Sequence, residues 1–314
     1  MKKEIIIYGA GIRGKKIACQ LYRHGIEIAG FCDTFKIGEG IFECGSMKIS
    51  KPIFSLLDVD RTKYTMIIAI ADKEQYLKVQ EKLSMDSISI STLDEILSGE
   101  DIVANHRELI AEYHIDNMND YFKKAEEKES ISVFWKKDSQ FFEMFKELNL
   151  KKVVELACGR GRHVPQYISS AEEIVLVDIL EKNIKYCKER FKEENNIQYY
   201  VNSGYELSKI ESESCTSLFS YDALVHFELL DIFQYLKETE RILIRGGKAL
   251  FHHSNNTDDY KITFYTGNQG RNYMSKQLFA YLANRAGLVV LKQEYIDWEG
   301  YEKLDCLTLL EKRC

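Results

Sequence analysis

Twice in this chain a strand-length apolar run enters a glycine turn and leaves it as a helix. The first is EIIIY, followed by Gly9-Ala-Gly11-Ile-Arg-Gly14 and a helically spaced stretch over residues 15–24. The second is KKVVELA, followed by Cys-Gly159-Arg-Gly161. After each turn a further apolar strand ends in an aspartate, Asp33 in one case and Asp178 in the other. Strands that alternate with helices pair in parallel, because a crossover connection returns the chain to the same end of the sheet. The sequence therefore predicts an α/β fold with two sheets. Each is built around a turn at the carboxyl ends of its strands, where such sheets take ligands.

The first series has strands at 4–8, 26–31 and 65–71, with a helix at 73–83, and fades after about residue 98. Residues 1–100 are assigned to a small Rossmann-like parallel sheet and 101–131, which end in KKAEEKES, to a helical connector. Residues 132–314 form the second domain, opening on an amphipathic helix at 132–148. Its strands fall at 151–157, 172–178, 197–201, 216–222 and 248–254. A pair at 288–296 and 306–312 reads as an antiparallel hairpin closing an otherwise parallel seven-stranded sheet.

Two domains also suit a chain of 314 residues. Its 43 basic against 49 acidic side chains leave a net charge of −6, which argues against nucleic acid as a general partner. No apolar run reaches the ~18–20 residues that cross a bilayer, so no membrane insertion is expected. The opening MKKEIIIYGAG leads straight into the glycine turn and reads as a first strand rather than a targeting signal. Eight cysteines lie scattered without a C-x-x-C pair. That fits a reduced, cytoplasmic chain and gives no metal-ligand spacing. A small molecule is the expected partner, and a homo-oligomer is left open.

In the first turn, Gly9, Gly11 and Gly14 follow G-x-G-x-x-G, with Asp33 nineteen residues beyond the last glycine. Glycines let backbone N–H groups approach a pyrophosphate at the helix start, and the acid suits a ribose. Residues 3–98, reading GAGIRG and then GFCD, resemble the small nucleotide-binding domain that precedes sugar acetyltransferases of the sialic-acid and bacillosamine type. That family typically reads GAGGHG and then GFxD, so its histidine is absent here. The resemblance implies a nucleotide or nucleotide-sugar. A dinucleotide, or a docking module that keeps the loop for packing, remain as alternatives.

The second turn differs. Glu155, Ala157, Gly159 and Gly161 are spaced E-x-A-x-G-x-G, with Val164 where a dinucleotide fingerprint has its third glycine. Over about 132–314 the chain resembles class I S-adenosylmethionine-dependent methyltransferases, with alanine at the first glycine position. The resemblance implies S-adenosylmethionine as cofactor, its methionine part against the glycine turn and its cation helped by Glu155. Asp178, with Ile179 beside it, would hold the ribose, while Ser203 and Gly204 would flank the adenine and Ser220 end the next strand. Ser203 stands where the family usually has an acid. IRGGKALFHHSN matches the family's turn and fifth strand, with arginine for proline.

Asp222 and His226, in SYDALVHFE, fall just past a strand's carboxyl end. His226 is the candidate general base. One of His252 and His253 is expected to support it, since neighbours on a strand face opposite sides. The polar stretch 255–273, with Tyr260, Tyr265, Arg271 and Tyr273, occupies an acceptor-loop position. The expected activity is methylation of a small-molecule acceptor, with a carbohydrate or nucleotide-sugar hydroxyl favoured over nitrogen. A nucleotide- or donor-binding regulatory protein without turnover is the alternative.

Overall fold

The computed structural model describes residues 3–44, 47–70, 73–97, 100–116, 119–260, 262, 264 and 268–313. The chain divides into two units, Met1–Asn105 and His106–Cys314. The division falls inside the helix Glu100–Asp116.

The first unit is built on β1 (Glu4–Tyr8), β2 (Ile28–Cys32), β3 (Gly38–Cys44), β4 (Met47–Phe54), β5 (Tyr64–Ile68) and β6 (Ser89–Ile90). They lie in the order β3-β4-β2-β1-β5-β6. All neighbours run parallel except β3 and β4, an antiparallel hairpin that the sequence reading did not include. In β3, alternate residues Gly40, Phe42 and Cys44 are buried between exposed ones. That one-sided pattern is interrupted by glycine and hides its strand character. The apolar run Ile5–Tyr8 is buried on both faces, as a central parallel strand requires.

The second unit's sheet contains β7 (Lys152–Leu156), β8 (Glu173–Asp178), β9 (Ile197–Val201), β10 (Cys215–Ser220), β11 (Leu243–Ser254), β12 (Leu288–Trp298) and β13 (Tyr301–Lys312). Their order is β12-β13-β11-β10-β7-β8-β9. β7 to β11 pair in parallel, and β13 runs antiparallel to both β11 and β12. The predicted seven strands and their closing hairpin are therefore present. Alternation along β7 sends Val154 and Leu156 into one core and Val153 into the other, so helices cover both faces.

One predicted element is broken. The helix expected over 132–148 is two helices, Lys128–Trp135 and Gln140–Phe145. Between them Asp138 takes φ +75°, and the Ser139 hydroxyl accepts from Phe142 N to cap the second helix. The two then pack Phe134, Phe141 and Phe145 into one buried cluster, which a straight helix would not allow. The seven described cysteines are all buried thiols; Cys314 lies outside the described residues. No described helix is long and apolar enough to cross a membrane.

Candidate functional site

At the carboxyl ends of β7 to β10 the second unit has an open cavity. Its floor is the turn after β7. Ala157, Gly159 and Gly161 there take φ of +58°, +55° and +71°, a left-handed run that folds the backbone back under the cavity. A Cβ on Gly159 would stand 3.2 Å from the Phe122 ring, and one on Gly161 2.6 Å from Phe191. Glycine at the first keeps the floor bare, and at the second it lets helix and turn close.

Asp178, at the tip of β8, holds this turn. One carboxylate oxygen accepts from Gly159 N at 2.9 Å, the other from Leu180 N at 2.8 Å and Asn183 Nδ2 at 3.2 Å. Burial pushes its pKa up to about 6, against the opposing pull of those three donors. Asp178 and Ile179 border the cavity, as do Gly204 and Asn202, whose amide donates to Tyr235 Oη at 2.8 Å.

The loop after β10 forms the next wall. Asp222 takes φ +55° and accepts from Arg162 Nη2 at 2.9 Å. His226 borders the same space, packed edge-on against Phe264, and its Nδ1 lies 2.9 Å from the Gly270 carbonyl. A carbonyl only accepts, so Nδ1 carries a proton. His163, held well below the usual histidine range by burial, receives the Trp135 indole N–H on Nδ1 at 2.9 Å.

Several expected residues stand elsewhere. Glu155 lies beneath the turn, not on the cavity wall. Its Oε2 accepts from the Tyr167 hydroxyl at 2.7 Å, its Oε1 has no partner among the described residues, and burial pushes its pKa up to about 8. Ser203 is exposed and tied through backbone and hydroxyl to Glu206, away from the cavity. Ser220 is fully buried, stitching β10 to β7 through the Leu156 carbonyl. His252 is fully buried behind the Asp222 turn and does not line the cavity. His253 faces the opposite side, its ring between Ser254 O and Thr308 Oγ1 and stacked on Phe279, so it has no place at the site. Arg271 is no surface residue: it is 2% exposed and pairs with Asp305. Tyr265 lies outside the described residues.

What the sequence did not offer comes from 107–126, read there as connector. Arg107, Ile110, Phe122 and Glu126 line the cavity. Arg107 forks onto Asp231 at 2.9 and 2.5 Å and stacks over Tyr205. Nothing local in that polar stretch distinguishes these residues from a solvated helix face.

The turn, the acid at the end of β8 and the sheet order agree with one comparison. Residues 154–251 match the family model described as a methyltransferase domain. Within the second unit this segment is similar to methyltransferase domains, and the sheet order is that of the class I methyltransferase fold. Among solved structures, a chain of the Haloferax volcanii complex between the Trm112 methyltransferase activator and a methyltransferase is 14% identical. That match covers 65% of this chain and 97% of the other, with a TM-score of 0.50, and shows the fold alone. An S-adenosylmethionine-dependent methyltransferase from Aquifex aeolicus is 13% identical over 61% of this chain and 96% of its own, with a TM-score of 0.47. The PH0226 protein of Pyrococcus horikoshii is 21% identical over 58% and 96%, with a TM-score of 0.44. No curated protein matches the chain.

The methyltransferase domain's own residues fit the donor. The bare floor at Gly159 leaves room for a flexible chain, and Asp178 presents a buried carboxylate to the cavity.

In the first unit Asp33 repeats the bonding of Asp178. Its Oδ2 accepts from Ala10 N in the glycine turn at 2.9 Å, and its Oδ1 from Phe35 N two residues on at 2.9 Å. Those backbone N–H groups hold its carboxyl below the usual range despite some burial. A Cβ on Gly14 would stand 1.8 Å from the Gly9 carbonyl, so only glycine lets the helix close on the turn. Gly11 has open space around it.

Proposed function

We propose that the methyltransferase domain methylates a hydroxyl of a small carbohydrate or nucleotide-linked sugar, with His226 as the general base. The observation that carries this reading is the shared cavity. The glycine turn and Asp178 form one wall, and His226, fixed as its Nδ1–H tautomer, stands on another. When bound, S-adenosylmethionine supplies a methyl group already activated by its sulfonium.

The protein's part is positioning and proton transfer. Asp178 takes the ribose hydroxyls with the lone pairs its backbone donors leave over. Arg162, on the cavity wall, takes the donor's carboxylate. Its guanidinium donates to Asp222 at 2.9 Å, which holds it at that wall. As the acceptor hydroxyl reacts, its proton passes to Nε2 of His226, because an alcohol is a weak nucleophile at neutral pH. Support for a carbohydrate acceptor comes from the first domain's resemblance and from the polar segment after β11, where Tyr260 is 78% exposed.

His226→Ala should lower turnover ~10²–10⁴-fold while leaving S-adenosylhomocysteine affinity within about threefold. Equal loss of both would refute the base assignment. For the first unit the proposal is a nucleotide-containing ligand at Gly9–Gly14 with Asp33 at its ribose, supported by the bonding shared with Asp178. Thermal shifts against nucleotides and nucleotide-sugars test it, and a flat response across the panel refutes it.

A further inference from the structure

Behind the cavity wall lies a buried ion pair that none of the roles above uses. Arg271 and Asp305, 2% and 0% exposed, meet through a fork of 3.0 and 2.5 Å. Burying two charges is costly, and the cost is usually recovered only where the pair is further hydrogen-bonded and fixes a particular arrangement. Here it is bonded in two directions, and both end at the cavity.

The first direction runs through His252. Its Nε2 lies 3.0 Å from Asp305 Oδ2, and its Nδ1 accepts the backbone N–H of Asp222 at 3.1 Å. A backbone N–H only donates, so Nδ1 holds the lone pair and Nε2 the proton. Asp222 needs this acceptor. At φ +55° it lies in the left-handed region, which Asp tolerates better than most residues but which still costs energy. Tyr221, beside it on the cavity wall, lies stacked on the His252 ring at 4.5 Å.

The second direction runs through the backbone around Arg271. Its Nη1 donates to the Gln269 carbonyl at 3.0 Å, which fixes the turn that presents the Gly270 carbonyl to His226 Nδ1. One residue on, Asn272 N donates to Val225 O at 2.8 Å, and its side-chain amide donates to Leu224 O at 3.2 Å. The segment 269–272 is thus laid along the loop 222–227 and bonded to it at both ends.

We propose that Arg271, Asp305 and His252 form a positioning relay for the methyl-transfer site, holding the left-handed Asp222 turn through His252 and the Nδ1–H tautomer of His226 through the Gly270 carbonyl. None of the three touches the cavity. They act through Asp222 and His226. The relay rests on the methyltransferase reading for its purpose, but its geometry is measurable in the protein alone.

The test compares two variants of similar size and polarity in the full chain. His252→Asn places an amide oxygen near the Nδ1 position and keeps an acceptor for Asp222 N–H. His252→Gln places its amide near Nε2, by Asp305, and leaves that N–H without one. Loss of one buried acceptor amounts to about tenfold in affinity. Calorimetric titration with S-adenosylhomocysteine should therefore give about tenfold weaker binding for Gln and binding within about threefold of wild type for Asn. A residue that only filled space would suffer alike from both, so equal affinities overturn the proposal.

A second measurement reads the two imidazoles directly. Nitrogen-15 spectra of the imidazoles, assigned by single substitutions, should show His226 protonated on Nδ1 and His252 on Nε2. With Arg271→Lys, which keeps the cation but loses the fork, His226 should become a mixture of tautomers. The reverse tautomers in wild type, or a His226 unchanged in Arg271→Lys, overturn the relay even if the histidine variants fail to fold. Wild-type protein that shows the expected tautomers but does not bind S-adenosylhomocysteine would refute the donor reading instead.

Discussion

Acidification should weaken donor-product binding by titrating Asp178. Burial raises this carboxyl to about 6, while Leu180 N, Gly159 N and Asn183 pull the other way. A ribose diol donates two hydrogen bonds, and the ionised carboxylate is the form that accepts both, so binding favours the deprotonated state. Protonation then competes with the ligand, and affinity is lost as pH falls through about 6. With that value, about nine-tenths of the protein is ionised at about pH 7 and about one-tenth at about pH 5, a tenfold loss of affinity between them. Isothermal titration with S-adenosylhomocysteine from about pH 5 to 7 reads the slope. Over that window Glu155, at about 8, stays largely protonated and contributes little. Asp178→Asn should abolish the slope and, by leaving one buried N–H without an acceptor, weaken binding at about pH 7 by roughly tenfold or more. An affinity independent of pH in wild type, or a slope that survives in Asp178→Asn, would refute the assignment of Asp178 to the ribose.

Three further outcomes follow from the turn after β7 and the acid beneath it. Ala157 holds φ +58° where glycine would be unstrained; Ala157→Gly should raise stability in urea by about 0.5–1 kcal/mol, and a clear loss would mean the turn is not under strain. Gly161→Ala should cost about 2 kcal/mol in the same assay, because its Cβ would lie 2.6 Å from Phe191 at a φ of +71°. Glu155 is raised from its ordinary value to about 8, so the folded state holds a proton that the unfolded chain releases, and stability falls as pH rises toward 8. Glu155→Gln keeps an acceptor for Tyr167 and should flatten that profile. It should be more stable than wild type at about pH 8, by an amount on the order of a few kcal/mol, and lose this advantage near pH 5. Parallel profiles would show that Glu155 is not the group responsible.

The sequence alone determined the parts whose physics is local. A glycine turn between strand and helix, and an acid at the end of the next strand, are fixed by backbone conformations that few residues adopt. Gly9, Gly159, Asp33 and Asp178 were legible for that reason, and so were the seven strands of the second sheet, whose apolar runs are long and continuous. The hairpin β3–β4 was not, since its burial is one-sided and broken by glycine. The break at Asp138 within an amphipathic pattern was also missed, because Ser139 and the aromatic packing decide it jointly.

Only the tertiary structure decided which side chains meet. Arg107 and Phe122 reach the cavity from a stretch that reads as solvated helix, and Asp231, the partner of Arg107, lies 124 residues away. Alternation along β11 predicted that His252 and His253 face opposite sides. It did not show that neither borders the cavity, nor that His252 sits between Asp222 and Asp305. Those partners come from three different segments, and which strands lie side by side is set by the sheet order β13-β11-β10 rather than by any local pattern. Backbone preference acts between neighbours in sequence, whereas burial and hydrogen bonding act between neighbours in space. The chemistry-bearing turns therefore belong to the first kind, and the groups that hold them in place to the second.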